Sequence, residues 1–302
     1  MKSLHWFVLT LASLAVACGN AAPAAASKSD VADAALPGFG SPDPGAVDGG
    51  VLVTDVSGRF LDESGTPPAA GFGASVCGPV CYLSQTVADG TFTVHIGSSI
   101  DLPEFSALPH GRPYVAGFYF ALPTVASAPA IDLGDLRIIS MPHDGAPIDL
   151  TGASPQTLTS GPATLSVDAG ITTKLEFEDS AAGTAGSEFR AVAVDPTIMG
   201  RFAPADASVL VALGPFESYG LDPAGAVVPS RVTLDNMVHL APGTRVEFLA
   251  LGTYLHPEWI APAVFTRVAT GSVSADGAAI EPDPGSGLLY LTWVAVRPIA
   301  TE

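Results

Sequence analysis

The sequence is poor in basic residues and in charged residues of every kind. Lys and Arg number 12 against 30 Asp and Glu, the formal net charge is −18, and only 14% of the residues are charged. A field of this sign repels nucleic acid, and no cluster of Lys or Arg offsets it, so nucleic-acid binding is excluded. The excess acid is expected to keep the chain soluble and to make basic surfaces its more favourable neighbours.

Long helices and long hydrophobic runs are also missing. Gly (32) and Pro (27) together number 59 of the 302 residues, which leaves little room for extended helices. Only Ser187 to Met199 is compatible with one, and Pro196 argues against it. The single apolar run, at the N-terminus, is shorter than the about 20 residues that a membrane span needs. We therefore predict an all-β protein built from short strands.

No established catalytic or metal-binding motif is present. The chain lacks a G-x-S-x-G elbow, a P-loop, a Gly-rich dinucleotide turn and an EF-hand loop. Glu176 and Glu178 are predicted to share one strand face, with Asp179 beside them. Such carboxylates could hold calcium or act in acid–base chemistry, but a solvated strand edge is the simpler interpretation. We predict a protein that is not an enzyme and that has no cofactor and no metal.

The N-terminus has the order of a secretory signal. Lys2 supplies a positive charge, Trp6–Leu14 supply an apolar run, and Ala15-Val16-Ala17 lead into Cys18. This resembles a bacterial lipoprotein signal, although Ala15 stands where a larger aliphatic residue is usual. The resemblance implies a signal peptide at residues 1–17, lipid on Cys18, and a location in the cell envelope, at the outer membrane or cell surface. Signal cleavage without lipidation remains the alternative.

Residues 18–50 are predicted to form a tether rather than a domain. Ala, Gly and Pro make up 19 of the 32 residues from 19 to 50, and Leu36 and Phe39 are almost the only large apolar side chains there. A flexible coil of this length spans about 31 Å on average. The tether would therefore hold a folded body clear of the lipid headgroups while Cys18 makes the only contact with the membrane.

Beyond residue 50 the apolar residues alternate, as in half-buried strands. Residues 56–67 read VSGRFLDESGTP and residues 89–94 read DGTFTV, with Asp89-Gly90 and Asp276-Gly277 predicted to form type I′ hairpin turns. Residues 51–140 resemble the carboxypeptidase regulatory-like, transthyretin-like β-sandwich family. That resemblance implies a β-sandwich with an accessory, adhesive or spacer role and no chemistry of its own.

Cys77 and Cys81 flank Gly78-Pro79. Four residues of extended strand would hold their Cα atoms about 13 Å apart, which is too far for a disulfide, whereas a turn at Gly78-Pro79 would bring them together on facing strands. A structural disulfide is the favoured interpretation because an exported protein folds in an oxidising compartment. Two free thiols, or a metal or redox role, are the alternatives.

Five short patterns recur in order along residues 146–298: VDAG at 167–170, PSRVTL at 229–234, PGTRVEF at 242–248, VSADG at 273–277, and a final aromatic strand around Trp293. Together they resemble the ZU5-like β-sandwiches of bacterial envelope proteins. Val232, Leu234, Val246, Phe248 and Ala250 are predicted core residues. The His-x-Ser/Thr tripeptide of related self-cleaving modules is absent. We therefore expect a second β-sandwich, with a boundary near residues 140–150.

The residues most suited to ligand binding are Tyr254, His256 and Trp259. Trp259 follows His256-Pro257-Glu258 in a predicted loop, whereas Trp293 lies in an apolar strand and is expected to be core. Together these patterns predict a noncatalytic envelope lipoprotein with a structural, adhesive or protein-interaction role, whose partner is an envelope protein or a glycan. A carbohydrate-binding module beside an envelope hydrolase is the alternative, and a hydrolase with an unrecognised site is a weaker third.

Overall fold

The computed structural model describes residues 51–300 apart from 53, 69, 79, 102–103, 108–110 and 123–129. The predicted signal peptide, Cys18 and the tether lie outside the described residues. The chain is nearly all β, and the sheets form sandwich-like and barrel-like bodies, which confirms the predicted fold class. All of the described residues belong to one compact unit.

The first set of strands, called here the N-terminal body, occupies residues 51–140. Its main sheets have the orders β10-β2-β5 and β4-β3-β7-β9, and two short pairs join β1 to β6 and β8 to β11. β10 runs parallel to β2, and the other pairs are antiparallel. The strands are β1 (Val51–Leu52), β2 (Asp55–Leu61), β3 (Gly73–Cys77), β4 (Cys81–Gln85), β5 (Thr91–His95), β6 (Ile100–Asp101), β7 (Glu104–Ala107), β8 (Val115–Ala116), β9 (Phe118–Ala121), β10 (Ile131–Arg137) and β11 (Ile139–Ser140).

The predicted alternation on β5 is confirmed, but the predicted turn type before it is wrong. Phe92 and Val94 are buried on one face, and their neighbours on the strand are more exposed. Gly90 has a φ of +82°, whereas Asp89 is not among the residues with positive φ, and the amide of Gly90 donates to the carbonyl of Val87. This is a type I turn closed by a left-handed Gly, since a type I′ turn needs positive φ at both central residues. The same holds at Asp276-Gly277, where only Gly277 has positive φ.

Cys77 and Cys81 form a disulfide. They are direct partners in the β3–β4 ladder, with their Cα atoms 4.0 Å apart. The amide of Gly78 donates to the carbonyl of Val80 and closes the turn between them. The predicted turn therefore brings the two sulfurs onto facing strands.

The second set of strands, the C-terminal body, occupies residues 146–298. Ten strands form one sheet in the order β12-β16-β17-β24-β21-β22-β23-β20-β14-β13, and β15-β18-β19 form a smaller sheet. The strands are β12 (Ala146–Pro147), β13 (Gln156–Ser160), β14 (Ala163–Val167), β15 (Thr172–Lys174), β16 (Glu188–Ala193), β17 (Val209–Gly214), β18 (Tyr219–Leu221), β19 (Val227–Val228), β20 (Arg231–Asp235), β21 (Arg245–Leu251), β22 (Phe265–Val273), β23 (Ala279–Pro282) and β24 (Trp293–Pro298).

The ten-stranded sheet curls so that its two ends approach each other. The Ser160 hydroxyl at the end of β13 accepts a hydrogen bond from the amide of Ala191 in β16, 3.1 Å away. The curl encloses the predicted core residues of β20 and β21, all of which are buried. Burying each Val, Leu or Phe among them contributes about 1.5–3 kcal/mol, so this interior is a main source of stability.

Two short helices correct sequence-based expectations in the C-terminal body. Glu176 and Glu178 do not share a strand face, because β15 ends at Lys174 and helix α1 spans Phe177–Ala181. Ser187 to Met199, the one stretch compatible with a longer helix, contains β16 and the short helix α2, Pro196–Met199. Pro196 begins α2 rather than preventing it, since the first helical position needs no N–H donor. Asp195 caps α2 through the amide of Thr197.

The hydrogen-bonded sheets divide the described chain into two bodies, but the hydrophobic core does not follow that division. Among the described residues, no strand pair crosses residues 141–145. One hydrophobic core nevertheless joins Phe105, Phe118 and Phe120 of the N-terminal body to Leu249 and Trp293 of the C-terminal body. A second core lies wholly within the C-terminal body. The two bodies are therefore separate in hydrogen-bonded sheet but continuous in packing.

Candidate functional site

An aromatic cluster lies where the predicted ligand-binding loop meets β18. The rings of His256 and Trp259 stack with centroids 4.2 Å apart and planes 7° apart. Tyr219 contacts each of them edge-on with centroids 5.2 Å apart. Tyr290 lies beneath, 5.5 Å from His256 and 6.1 Å from Trp259. Four rings from three segments thus fix the orientation of this loop.

Two carboxylates flank the imidazole of His256. Glu176, which precedes α1, places Oε1 3.9 Å from Nε2, and Glu258 places Oε1 3.7 Å from Nδ1. Nε2 is buried and forms no hydrogen bond with the described residues. The ring of His256 therefore lies between two carboxylates, one from the segment before α1 and one from its own loop.

The three predicted ligand-binding residues are not equivalent. His256 and Trp259 are brought together, and Trp259 is half-buried against the core of the C-terminal body. Among the described residues, no ring contact joins Tyr254 to this cluster. Tyr219 and Tyr290 belong to it instead, and only pairing of β18 with β15 and the fold of the last loop bring them there. Ligand binding by Tyr254, His256 and Trp259 stays a prediction.

A buried pair of glutamates lies deeper, and the sequence offered no signal for it. Glu104 on β7 is 2% exposed, and Glu217, between β17 and β18, is fully buried. Burial, followed by the charge of Glu217, raises the pKa of Glu104 to about 9, so Glu104 is neutral at pH 7. Every residue of β7 is buried. The strand therefore has no alternation of buried and exposed positions from which the burial of Glu104 could be predicted.

Tyr290 connects this carboxylate pair to the aromatic cluster. Its hydroxyl accepts a hydrogen bond from the amide of Thr253 at 3.1 Å. Burial is the main reason that its pKa is raised, and the charges of Glu217 and Glu104 raise it further. Tyr119 on β9 has its pKa raised for the same reasons, burial first. All four of these side chains are buried, so the cluster gives no solvent-exposed acid or base.

Arg190 anchors the segment between the two bodies. Its Nε donates to the carbonyl of Pro142 at 2.8 Å, and its guanidinium pairs with Glu188. The guanidinium also lies 4.9 Å from the centroid of the Tyr114 ring, in the N-terminal body. Each of these partners is structural, so Arg190 acts as a fixed cross-link between the two bodies.

Neither metal ligation nor membrane crossing is indicated within the part of the chain that the structure describes. No group of three or more His, Cys, Asp or Glu side chains there is arranged to hold a metal ion. None of the helices there has the length and apolar character needed to cross a bilayer.

Comparison with known proteins gives little further information. No protein family matches the chain, and no curated protein matches it. Among solved structures, the full-length major pilin SpaD from Corynebacterium diphtheriae is similar at 9% identity over 82% of this chain and 86% of the pilin, with a TM-score of 0.20. At that score the likeness supports no argument about fold or function.

Proposed function

We propose that this protein is a noncatalytic component of the cell envelope, anchored through lipid on Cys18, that presents a rigid β structure to a protein partner. The observation that carries the proposal is the core shared by the two bodies. Presentation at a distance from an anchor requires a body that does not bend at its middle. The continuous core and the Arg190 cross-link both resist bending between the two bodies.

The chemistry of the described residues also supports this role. Glu104 and Arg190 are closed off from solvent, and Arg190 is held by contacts within the protein. A carbohydrate-binding role has less support because Trp259 is half-buried, stacked on His256 and in edge contact with Tyr219, which reduces the aromatic surface open to a sugar. Adhesion or protein interaction is therefore the proposal that we carry forward.

The experiment measures lipidation of Cys18 and cross-linking to a partner in the same intact cells. Cells that produce the full chain or its Cys18→Ser variant are labelled with radioactive palmitate, cross-linked and fractionated. We expect label, membrane association and a discrete cross-linked adduct for the native chain, and loss of the label and of membrane association for the variant. The double variant Cys77→Ser/Cys81→Ser is the control and should keep the lipid label. An unlabelled native chain in the soluble fraction would refute the proposal.

A further inference from the structure

We propose that an acidic aromatic corner of the C-terminal body binds a basic protein segment that carries an apolar anchor residue. The corner consists of Phe177, Leu255 and Trp259 with the carboxylates of Glu176, Glu178 and Glu258. The inference deepens the proposed function, because it names the chemistry of the partner.

Exposed apolar side chains are the first reason. Phe177, the first residue of α1, is 80% exposed, and Leu255 is 52% exposed. Their two segments meet at the 3.9 Å contact between Glu176 and His256. Single exposed apolar residues are ordinary, but two beside a half-buried Trp mark a contact surface.

A rigid base is the second reason. The loop that carries Leu255 and Glu258 is held by the stacked His256–Trp259 pair, with Tyr219 and Tyr290 packed against it. A binding surface that is ordered before the partner arrives loses less conformational entropy on binding, so modest contacts suffice for measurable affinity.

Charge selects the partner. Glu176 and Glu258 flank His256, Glu178 is exposed one residue after Phe177, and Lys174 on β15 pairs with Tyr219 on β18. These four charged side chains sum to −2, from three carboxylates and one ammonium. A basic segment gains from this field, whereas an anionic lipid surface is repelled. An exposed Phe ring also accepts a cation over its face. A neutral sugar would gain nothing from this field.

A second copy of the chain fits poorly. Each copy has a formal charge of −18, so two copies repel each other. Three exposed arginines are already ion-paired within the chain and offer little to offset this repulsion: Arg59 with Asp135, Arg231 with Glu281, and Arg245 with Asp283. A basic segment of a different protein is therefore the occupant that the charges favour.

The test measures binding of synthetic peptides to the purified full-length chain by calorimetry and by intrinsic Trp fluorescence. The probe is a decapeptide with four lysines around a Leu-Phe pair. Its controls replace the lysines by glutamates or the Leu-Phe pair by two serines, and a neutral β-linked glucan hexasaccharide tests for sugar binding. We expect only the first peptide to bind. Its affinity should fall as salt is raised from about 50 to about 500 mM, because surface charges become screened over that range.

Variants locate the site. Phe177→Ala should weaken binding about tenfold, as expected for an anchor residue, and Phe177→Tyr should retain it. Glu178→Gln and Glu258→Gln should each reduce the salt dependence. Leu83→Ala is the matched control, since Leu83 is 70% exposed on β4 in the N-terminal body, and it should bind as the native chain does.

Three results would overturn the inference: no binding of the basic apolar peptide, equal binding of the acidic peptide, or binding of the hexasaccharide that Phe177→Ala abolishes. The last result would make the corner a glycan site. Because the assay uses purified protein, it does not depend on lipidation, so its failure is distinct from failure of the proposed function.

Discussion

The indole Nε1–H of Trp293 donates a hydrogen bond to the backbone carbonyl of Gly117. Trp293 begins the last strand of the C-terminal body, and Gly117 lies between β8 and β9 of the N-terminal body, 176 positions earlier in the chain. The ring is 1% exposed, and a buried indole N–H needs an acceptor. Here the acceptor belongs to the opposite body, so one side chain links the two by packing and by hydrogen bonding.

We expect Trp293→Phe to destabilise both bodies together. The change leaves the Gly117 carbonyl without its buried donor and removes part of the shared core, at a cost of about 2–4 kcal/mol. Urea unfolding followed by circular dichroism measures the loss. Trp259→Phe is the control, because Trp259 is only half-buried, and it should cost less than about 1.5 kcal/mol. Equal costs would contradict the proposed importance of the junction.

Arg190→Lys should destabilise the protein although it keeps the positive charge. A lysine cannot donate to Pro142 and Glu188 at once or lie flat against Tyr114, so the expected loss is about 3 kcal/mol. Denaturant midpoints measure it. Arg231→Lys tests an exposed pair with Glu281 and should change stability by less than about 0.5 kcal/mol. If Arg190→Lys leaves the free energy of unfolding unchanged, Arg190 does not act as a cross-link between the two bodies.

Glu104 should make the protein less stable as pH rises. Its pKa is about 9 in the folded chain against an ordinary value of 4.5, so between these values the folded chain keeps a proton that the unfolded chain releases. Unfolding then releases a proton, and the free energy of unfolding falls by about 1.4 kcal/mol per pH unit. Urea midpoints of the native chain and Glu104→Gln at several pH values between about 5 and 8 should diverge, with the variant more stable at high pH.

An acid with the opposite shift provides the control for that experiment. Hydrogen bonds from Arg245 and Thr270 lower the pKa of Asp283 to about 2, so its contribution is present above its ordinary pKa of 3.8 and is lost as pH falls towards 2. Asp283→Asn should therefore change the pH profile only in acid. Parallel profiles for the native chain and Glu104→Gln would show that Glu104 is not held neutral.

Removing the disulfide should weaken the N-terminal body modestly. The bridge between Cys77 and Cys81 closes a loop of five residues, which in the loop-entropy description stabilises the fold by about 2 kcal/mol. The double variant Cys77→Ser/Cys81→Ser should lower the free energy of unfolding by that amount, and with it the unfolding midpoint, while keeping its circular-dichroism spectrum. The native chain in reducing buffer should behave as the variant does, and an unchanged midpoint in both would contradict the prediction.

Local pattern was sufficient for much of the fold. Alternation placed Phe92, Val94, Val246 and Phe248 in the interior, and the expected turn chemistry correctly brought Cys77 to Cys81. The errors were also local in scale. The Glu176–Asp179 segment is a helical turn although its charges suggested a strand edge, since one turn of helix has too few residues to show a period. The turns at Gly90 and Gly277 differ from expectation because Gly adopts positive φ in both turn types.

Part of the candidate site could be predicted from residues that are close in sequence, and part could not. His256 and Trp259 lie three residues apart, so their sequence separation already suggested a shared loop. Glu104 and Glu217 lie 113 positions apart by residue number, and no short-range pattern relates them. Tyr219 and Tyr290 join the cluster only because distant strands pair and close over one another.

The sequence by itself determined the all-β class, the core faces of the strands and the disulfide, because each follows from side-chain period or turn chemistry within a few residues. Only the tertiary structure decided that the two bodies share a core, that Trp293 reaches Gly117, and that two glutamates are buried together. These features depend on which surfaces meet after the strands have formed. That choice is made by the burial of apolar area over the whole chain, and the contacting residues are far apart in sequence.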